Sequence, residues 1–269
     1  LADDMGLGKT LQVIAMVAGT RSASDLPFLV VAPTSVMGNW VSECAKFAPS
    51  LRTALVAETS ARRDRPMSEV VGGCDIVVTS YTLFRLDFDA FAEQRWAGLI
   101  LDEAQFVKNH QSQAHSCARR LDAPVKFAVT GTPLENNLME LWSLLSIVAP
   151  GLFPSPRRFG EYYQRPIEKE GDVDRLAQLR RRVAPFMLRR TKDEVARDLP
   201  PKQEQVLEVE LLPAHRKVYQ THLQRERQKV LGLLSDMNAN RFEIFRSLTM
   251  LRQLALDASL VDEEYARVP

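Results

Sequence analysis

Cysteine is scarce in this chain. Cys44, Cys74 and Cys117 are its three in 269 residues, far apart and with no C-x-x-C pair. That argues against a zinc site or a disulfide framework and fits a reducing compartment. Long apolar runs are missing as well: none reaches the roughly 18 residues of a membrane-spanning helix, and the first residues lack the pattern of a secretory signal. Strong net charge is also absent. At +1, the whole-chain field does not announce a nucleic-acid binder. Residues 1–150 hold 13 Lys+Arg against 16 Asp+Glu, and the rest hold 22 against 18. Solvated helix faces account for that mild basic shift as well as a binding surface does. There is no internal repeat and no low-complexity tract.

What is present is ample core material, 45% hydrophobic residues, enough for one large domain and part of another. Short apolar or β-branched runs at 28–32, 52–57, 75–79, 98–101 and 125–130 read as strands. Helical stretches such as Val36 to Phe47 and His110 to Leu121 lie between them. Strand alternating with helix implies an α/β fold, a parallel sheet with helices on both faces. After Trp142 the texture changes to the proline-rich, aromatic "APGLFPSPRRFGEYYQRP", followed by a short charged helix over 172–183. The stretch "PPKQEQVLEVEL" reads as extended, with Val206 and Val209 alternating against charge. Pro213 then opens a helix with Tyr219, Leu223, Val230 and Leu234 on one stripe, and another helix runs from about Arg241 to Leu256.

Three motifs carry chemistry. "LADDMGLGKT" has the glycines, lysine and hydroxyl of a phosphate-binding loop. Gly6 and Gly8 let backbone N–H groups turn inward, Lys9 reaches the β- and γ-phosphates, and the Thr10 hydroxyl ligates Mg²⁺. Asp3, however, stands where the usual G-x-x-x-x-G-K-[ST] loop has its first glycine. "LILDEAQ" sets Asp102 and Glu103 at the end of a strand, where Asp102 can hold Mg²⁺ and Glu103 can orient or deprotonate water. "AVTGTPLENNLMELW" again follows a strand, and Thr130, Gly131 and Thr132 form a polar turn able to sense the γ-phosphate or Glu103. Singly, each motif also reads as a loop, a surface acidic pair or a turn; their order and placement argue for one nucleotide site.

"DDMGLGKT", "VVAPTSVMGNW", "DIVVTSYTLF", "LDEAQFVKN" and "TGTPLENNLMELW", in this order, resemble the motifs of the Swi/Snf family of superfamily 2 helicase-like ATPases. That family's loop reads D-x-M-G-L-G-K-T without a leading glycine. The likeness continues through "PFMLRRTKDEVARDLPPKQEQVLEVELLPAHRKVYQ" and so covers nearly the whole chain. It implies a RecA-like first lobe over residues 1–199, with a core at 1–149 and a helical protrusion at 150–199. The start of a second lobe with its own helical insertion is implied over 200–269. It also implies ATP and Mg²⁺ as cofactors, with Gly6, Leu7, Gly8, Lys9, Thr10 and Leu11 at the nucleotide and Gln105, where relatives often have His, coupling to the third motif. Pro33, Thr34, Asn39 and Trp40, with Thr79, Ser80 and Tyr81, match segments that lie near duplex DNA in the family. Gripping phosphates independently of sequence suits such residue types, although Trp40 reads equally as a buried anchor. Arg189, Arg190 and Lys192 read as a brace, a phosphate contact or a solvated face.

Two pieces of the family pattern are not found. Neither "QLRRRVA" nor "QRERQKV" fits the Q-x-x-R-x-x-R-like arginine motif, and no adenine-recognising glutamine motif precedes Leu1, so the chain reads as a fragment. The expectation is part of a monomeric, intracellular DNA-dependent ATPase, of bacterial cytoplasm and nucleoid or of a eukaryotic nucleus, with a bacterial member favoured. It would translocate on duplex DNA and remodel a DNA-bound protein complex. The alternatives are a strand-separating helicase or restriction-type motor, and a non-catalytic protein-docking module.

Overall fold

The computed structural model describes residues 1–20, 26–132, 137–195, 204–233, 236 and 239–267. The chain forms two compact units, Leu1–Leu199 and Pro200–Pro269. The expected boundary at 199 and 200, residues 133–136 of the third motif and Leu234 of the expected stripe lie outside the described residues.

The first unit is built on five strands: β1 (Phe28–Ala32), β2 (Thr53–Val56), β3 (Ile76–Ser80), β4 (Gly98–Asp102) and β5 (Lys126–Val129). All pairings are parallel, in the order β2-β3-β1-β4-β5. A sheet covered on both faces needs strands that are apolar throughout, and Leu29 to Ala32, Ile76 to Val78 and Leu99 to Leu101 are all buried. Alternation along each strand divides these side chains between two cores. Leu29, Val31, Val77, Leu99 and Leu101 pack with Phe84, Phe91 and Trp96 on one face. Val30, Ala32, Ile76, Val78 and Ile100 pack on the other with Val13, Ile14 and Val17 of α1 (Lys9–Thr20) and Trp40 of α2 (Met37–Phe47). Each Val, Leu, Ile or Phe among them contributes about 1.5–3 kcal/mol on burial. This is the α/β architecture expected from the sequence.

The strand order reverses at β1, and in open parallel sheets the crevice at the carboxyl ends beside such a reversal is where ligands bind. Pro33 follows β1, Tyr81 follows β3, Asp102 closes β4 and Thr130 follows β5. The Leu1 main-chain nitrogen donates to Ala128 O at 2.8 Å, and Thr130 N donates to Leu1 O at 3.1 Å. The start of the glycine loop is thereby tied to the same edge as the third motif.

Beyond Ala149 the aromatic and proline-rich segment forms a separate small core of Leu138, Trp142, Phe153, Phe159, Tyr163, Leu179 and Val183. In the second unit, helices span Pro213–Leu233 and Arg241–Leu256. One expectation needs correction there. The buried line of the first helix runs through His215 and Glu226, with Tyr219 and Val230 half-buried and Leu223 exposed. The stripe is therefore rotated from the one the apolar residues outline, because His215 turns inward to a hydrogen bond with Leu254 O. Residues 204–212 lie in no helix or sheet, and Val206 and Val209 are exposed.

Candidate functional site

The glycine loop has the geometry that phosphate requires. Gly6 and Gly8 take φ of 84° and 69°, values that cost a side-chain-bearing residue but not glycine. Helix α1 starts at Lys9, so its free N–H groups point toward the loop. Lys9 Nζ donates to Asp3 O at 2.9 Å and Asp4 O at 3.1 Å, lying across the loop. Thr10 is half-buried and Leu11 exposed in the first turn of α1, and Leu7 is half-buried at the tip. Gly131 closes the other side: a Cβ there would stand 2.8 Å from Met5 Cγ and 3.6 Å from Lys9 Nζ. The third motif thus approaches the lysine because it carries no side chain at that point.

Asp3, the departure from the usual loop, is fully buried. Its Oδ1 accepts from Arg190 N at 2.9 Å, and its Oδ2 accepts from Gln12 Nε2 at 3.2 Å and from the Arg190 guanidinium. Gln12 Nε2 also donates to Leu7 O at 3.0 Å, and Arg190 Nη2 donates to Gln12 Oε1 at 2.6 Å. The first glycine of the usual loop is replaced by a carboxylate that ties both ends of the loop to an arginine 187 residues away. The Arg190 guanidinium beside Asp3 holds its carboxyl below the ordinary value of 3.8. Arg189 donates to Ala2 O at 3.0 Å and Asp4 Oδ1 at 3.1 Å, and Lys192 N donates to Asp4 Oδ2 at 3.1 Å. Of the roles open to this basic cluster, the geometry is that of a brace on the loop. The sequence singled out Asp3 and Arg190 separately, but neither their pairing nor Gln12; the available signal was a carboxylate at a loop position too crowded to be solvated.

At the end of β4, Asp102 is held on both oxygens. Trp40 Nε1 donates to Oδ2 at 2.7 Å and Glu103 N donates to Oδ1 at 3.0 Å. Burial raises the Asp102 pKa; the Trp40 and Glu103 N–H bonds oppose this, the Glu103 charge adds to it, and the Lys9 charge lowers it. Lys9 therefore stands within electrostatic reach of Asp102. Glu103 has φ 48°, the left-handed region, and is the non-glycine residue with positive φ among those described. Such a conformation costs about 1–3 kcal/mol and clusters at functional sites. It turns the chain abruptly off the strand, and the side chain remains half-exposed. Thr130 Oγ1 donates to Gln105 Oε1 at 3.3 Å and accepts from Thr132 N at 3.1 Å, which joins the second and third motifs through a side-chain bond.

The residues matched to DNA-proximal segments divide. Thr34 and Asn39 are exposed and Pro33 is half-exposed. Trp40, by contrast, is 1% exposed with its indole N–H spent on Asp102, so its side chain has no surface to offer DNA. The Thr79 hydroxyl donates to Val56 O at 3.1 Å, Ser80 Oγ caps the helix Tyr81–Leu86 by accepting from Leu83 N at 3.1 Å, and Tyr81 OH donates to Asp102 O at 2.7 Å. All three side chains are buried. They hold the end of the sheet, and the assignment of Trp40, Thr79, Ser80 and Tyr81 as DNA-contacting side chains is corrected accordingly. The Tyr81 hydroxyl is pushed well above its ordinary 10 by burial, with the Asp102 and Glu103 charges adding to the effect.

A parallel sheet of this order, with a glycine loop and lysine ahead of its first strand and an acidic pair at the end of β4, is the RecA-like fold. The chain matches the SNF2-related domain over residues 1–260 and belongs to that family. It is 38% identical over 265 residues to a putative ATP-dependent helicase/translocase, YwqA, of Bacillus subtilis, covering 97% of this chain and 27% of that protein. It is 38% identical over 235 residues to the ISWI chromatin-remodeling complex ATPase CHR11 of Arabidopsis thaliana, covering 86% of this chain and 22% of that one. Among solved structures, the Sulfolobus solfataricus SWI2/SNF2 ATPase core in complex with dsDNA superposes with a TM-score of 0.66 at 33% identity, covering 97% of this chain and 54% of that one. The chain thus spans about a quarter of these curated relatives and about half of the solved core. No helix among the described residues is long and apolar enough to cross a membrane.

Proposed function

We propose that this chain is the ATP-binding part of a DNA-dependent ATPase that moves along duplex DNA and remodels DNA-bound protein complexes. The observation that carries the reading is that Lys9, close against Gly131, and the Asp102–Glu103 pair at the end of β4 stand at one sheet edge. The donor set fits a magnesium nucleotide: inward N–H groups at Gly6 to Thr10 for phosphate oxygens, and the Thr10 hydroxyl with the Asp102 carboxylate for Mg²⁺. When bound, Mg²⁺ supplies charge neutralisation on the phosphate oxygens. Lys9 leaves the loop carbonyls to bind the terminal phosphate. Glu103 orients a water molecule and accepts its proton. The Gln105–Thr130 bond ties the position of Glu103 to the third motif, which senses whether the terminal phosphate is present.

Duplex DNA as the partner is supported by family membership, by the dsDNA in the Sulfolobus complex and by the exposed Thr34 and Asn39 near the same edge. Residues 200–269 are the start of a second lobe in this reading. Arginines that stabilise the transferring phosphoryl group are worth roughly 10³–10⁵ in rate. No Q-x-x-R-x-x-R-like spacing supplies them, so this chain alone binds nucleotide weakly and hydrolyses it slowly. The test is Glu103→Gln in the full-length protein. Turnover falls at least a hundredfold while binding of a fluorescent ATP analogue is retained. A variant that still hydrolyses at the parent rate, or a parent whose ATPase ignores duplex DNA, defeats the reading. A tailed duplex separates it from a strand-separating helicase, since only the latter releases single strand.

A further inference from the structure

Two aromatic donors from different segments grip one acidic residue. Trp40 Nε1 reaches the Asp102 carboxylate at 2.7 Å, and Tyr81 OH reaches the Asp102 main-chain oxygen at 2.7 Å. Trp40 comes from α2, after β1, and Tyr81 from the turn after β3. With Glu103 N on the second carboxylate oxygen, the plane of the carboxylate is fixed. A hydrogen bond to an ionised group in a buried setting is a strong and directional restraint. Trp40 also packs in one cluster with Val13, Ile14 and Val17 of α1, the helix that follows the glycine loop. Its immediate neighbour Asn39 is exposed, as is Thr34 just before the helix. One short helix therefore carries a polar outward face and, one residue on, the donor that aims the acid. Tyr81 is anchored in turn by stacking on Phe106, with ring centroids 5.1 Å apart and planes at 16°.

We propose that Trp40 is a positioning residue: it aims the Asp102 carboxylate at the cation, so that a load on the outward face of α2 is transmitted to the cation through the indole N–H. The inference rests on the nucleotide reading above and deepens it. A backbone contact at Pro33 to Asn39 that shifts α2 by a few tenths of an ångström must also shift the indole, because close-packed interiors transmit displacement rather than absorb it.

The test is Trp40→Phe in the full-length protein, a change that keeps an aromatic ring and removes the donor. Binding of a fluorescent ATP analogue is titrated with Mg²⁺, with and without duplex DNA, and compared with binding in EDTA. The variant needs at least fivefold more Mg²⁺ for half-saturation, its affinity in EDTA is unchanged, and duplex DNA no longer alters its Mg²⁺ requirement. A purely structural tryptophan would lower both affinities or neither. Equal Mg²⁺ requirements in parent and variant overturn the inference alone. A parent whose nucleotide binding is indifferent to Mg²⁺ overturns the nucleotide reading and the inference with it. Should the variant fail to fold, 5-fluorotryptophan in the unaltered protein gives the answer by ¹⁹F NMR: the indole resonance assigned to Trp40 moves when Mg²⁺ is added to the ADP-saturated protein, and an unmoved Trp40 resonance overturns the inference.

Discussion

Asp3 is an ionised side chain with no exposed surface, and a charge in that position persists only when it is paired and hydrogen-bonded. Arg190 and Gln12 supply both. Because the Asp3 pKa lies below its ordinary 3.8 in the folded chain, the unfolded chain binds the proton more readily. The stability that Asp3 contributes is therefore fully present above pH 3.8 and is lost as pH falls through the lower, folded value. Urea midpoints measured from pH 7 down to pH 2 are expected to fall steeply at the acid end. Arg190→Ala is expected to lower the neutral midpoint and to flatten that acid limb, since the carboxylate then lacks the partner that depresses it. An acid limb of unchanged steepness would show that Arg190 is not that partner. Lys9, Asp102 and Glu103 were legible in the sequence because their chemistry is confined to short motifs on known elements. The Trp40–Asp102 bond and the Asp3–Arg190 pair join residues 62 and 187 positions apart, and no local pattern in a single chain encodes such a pairing.

At the scale of the element, β4 shows how tightly the site is supported. A Cβ at Gly98 would stand 2.7 Å from Phe28 Cε1 and 3.1 Å from Val125 O. The first residue of the strand that ends in Asp102 thus has no room for a methyl group. Gly98→Ala is expected to destabilise the fold by about 1–3 kcal/mol through overpacking, a fall in melting temperature of roughly 2–4 °C per kcal/mol for a unit of this size. Unchanged melting would mean that the Phe28 ring yields freely. The five strands were readable because burial on both faces removes the polar half of the usual alternation, which leaves runs such as FLVV and GLIL. The buried line of helix Pro213–Leu233 was not, because its interior positions are His215 and Glu226, residues that composition places outside.

At the scale of the whole molecule, the two units differ in kind. The first has continuous cores on both faces of its sheet. The second, among its described residues, buries only Leu254 and Ala258 of its hydrophobic side chains, while Phe242 and Phe245 stay 87% and 69% exposed. Apolar area removed from water is the main favourable term in folding, so the second unit is held by far less of it. Brief proteolysis of this chain is expected to remove residues beyond about 200 while a fragment of the first unit persists, as mass spectrometry would show. Cleavage of both units at equal rates would contradict the difference in packing.

The Lys9 amine, finally, already rests on two carbonyl oxygens of its own loop. A cation held in this way keeps the loop open and, in the proposed reading, asks little of an arriving anion: the ammonium exchanges two neutral acceptors for a charged one by turning a few side-chain bonds. Loading should then be a single encounter with no slow preparatory step, and its observed rate should climb in direct proportion to nucleotide concentration.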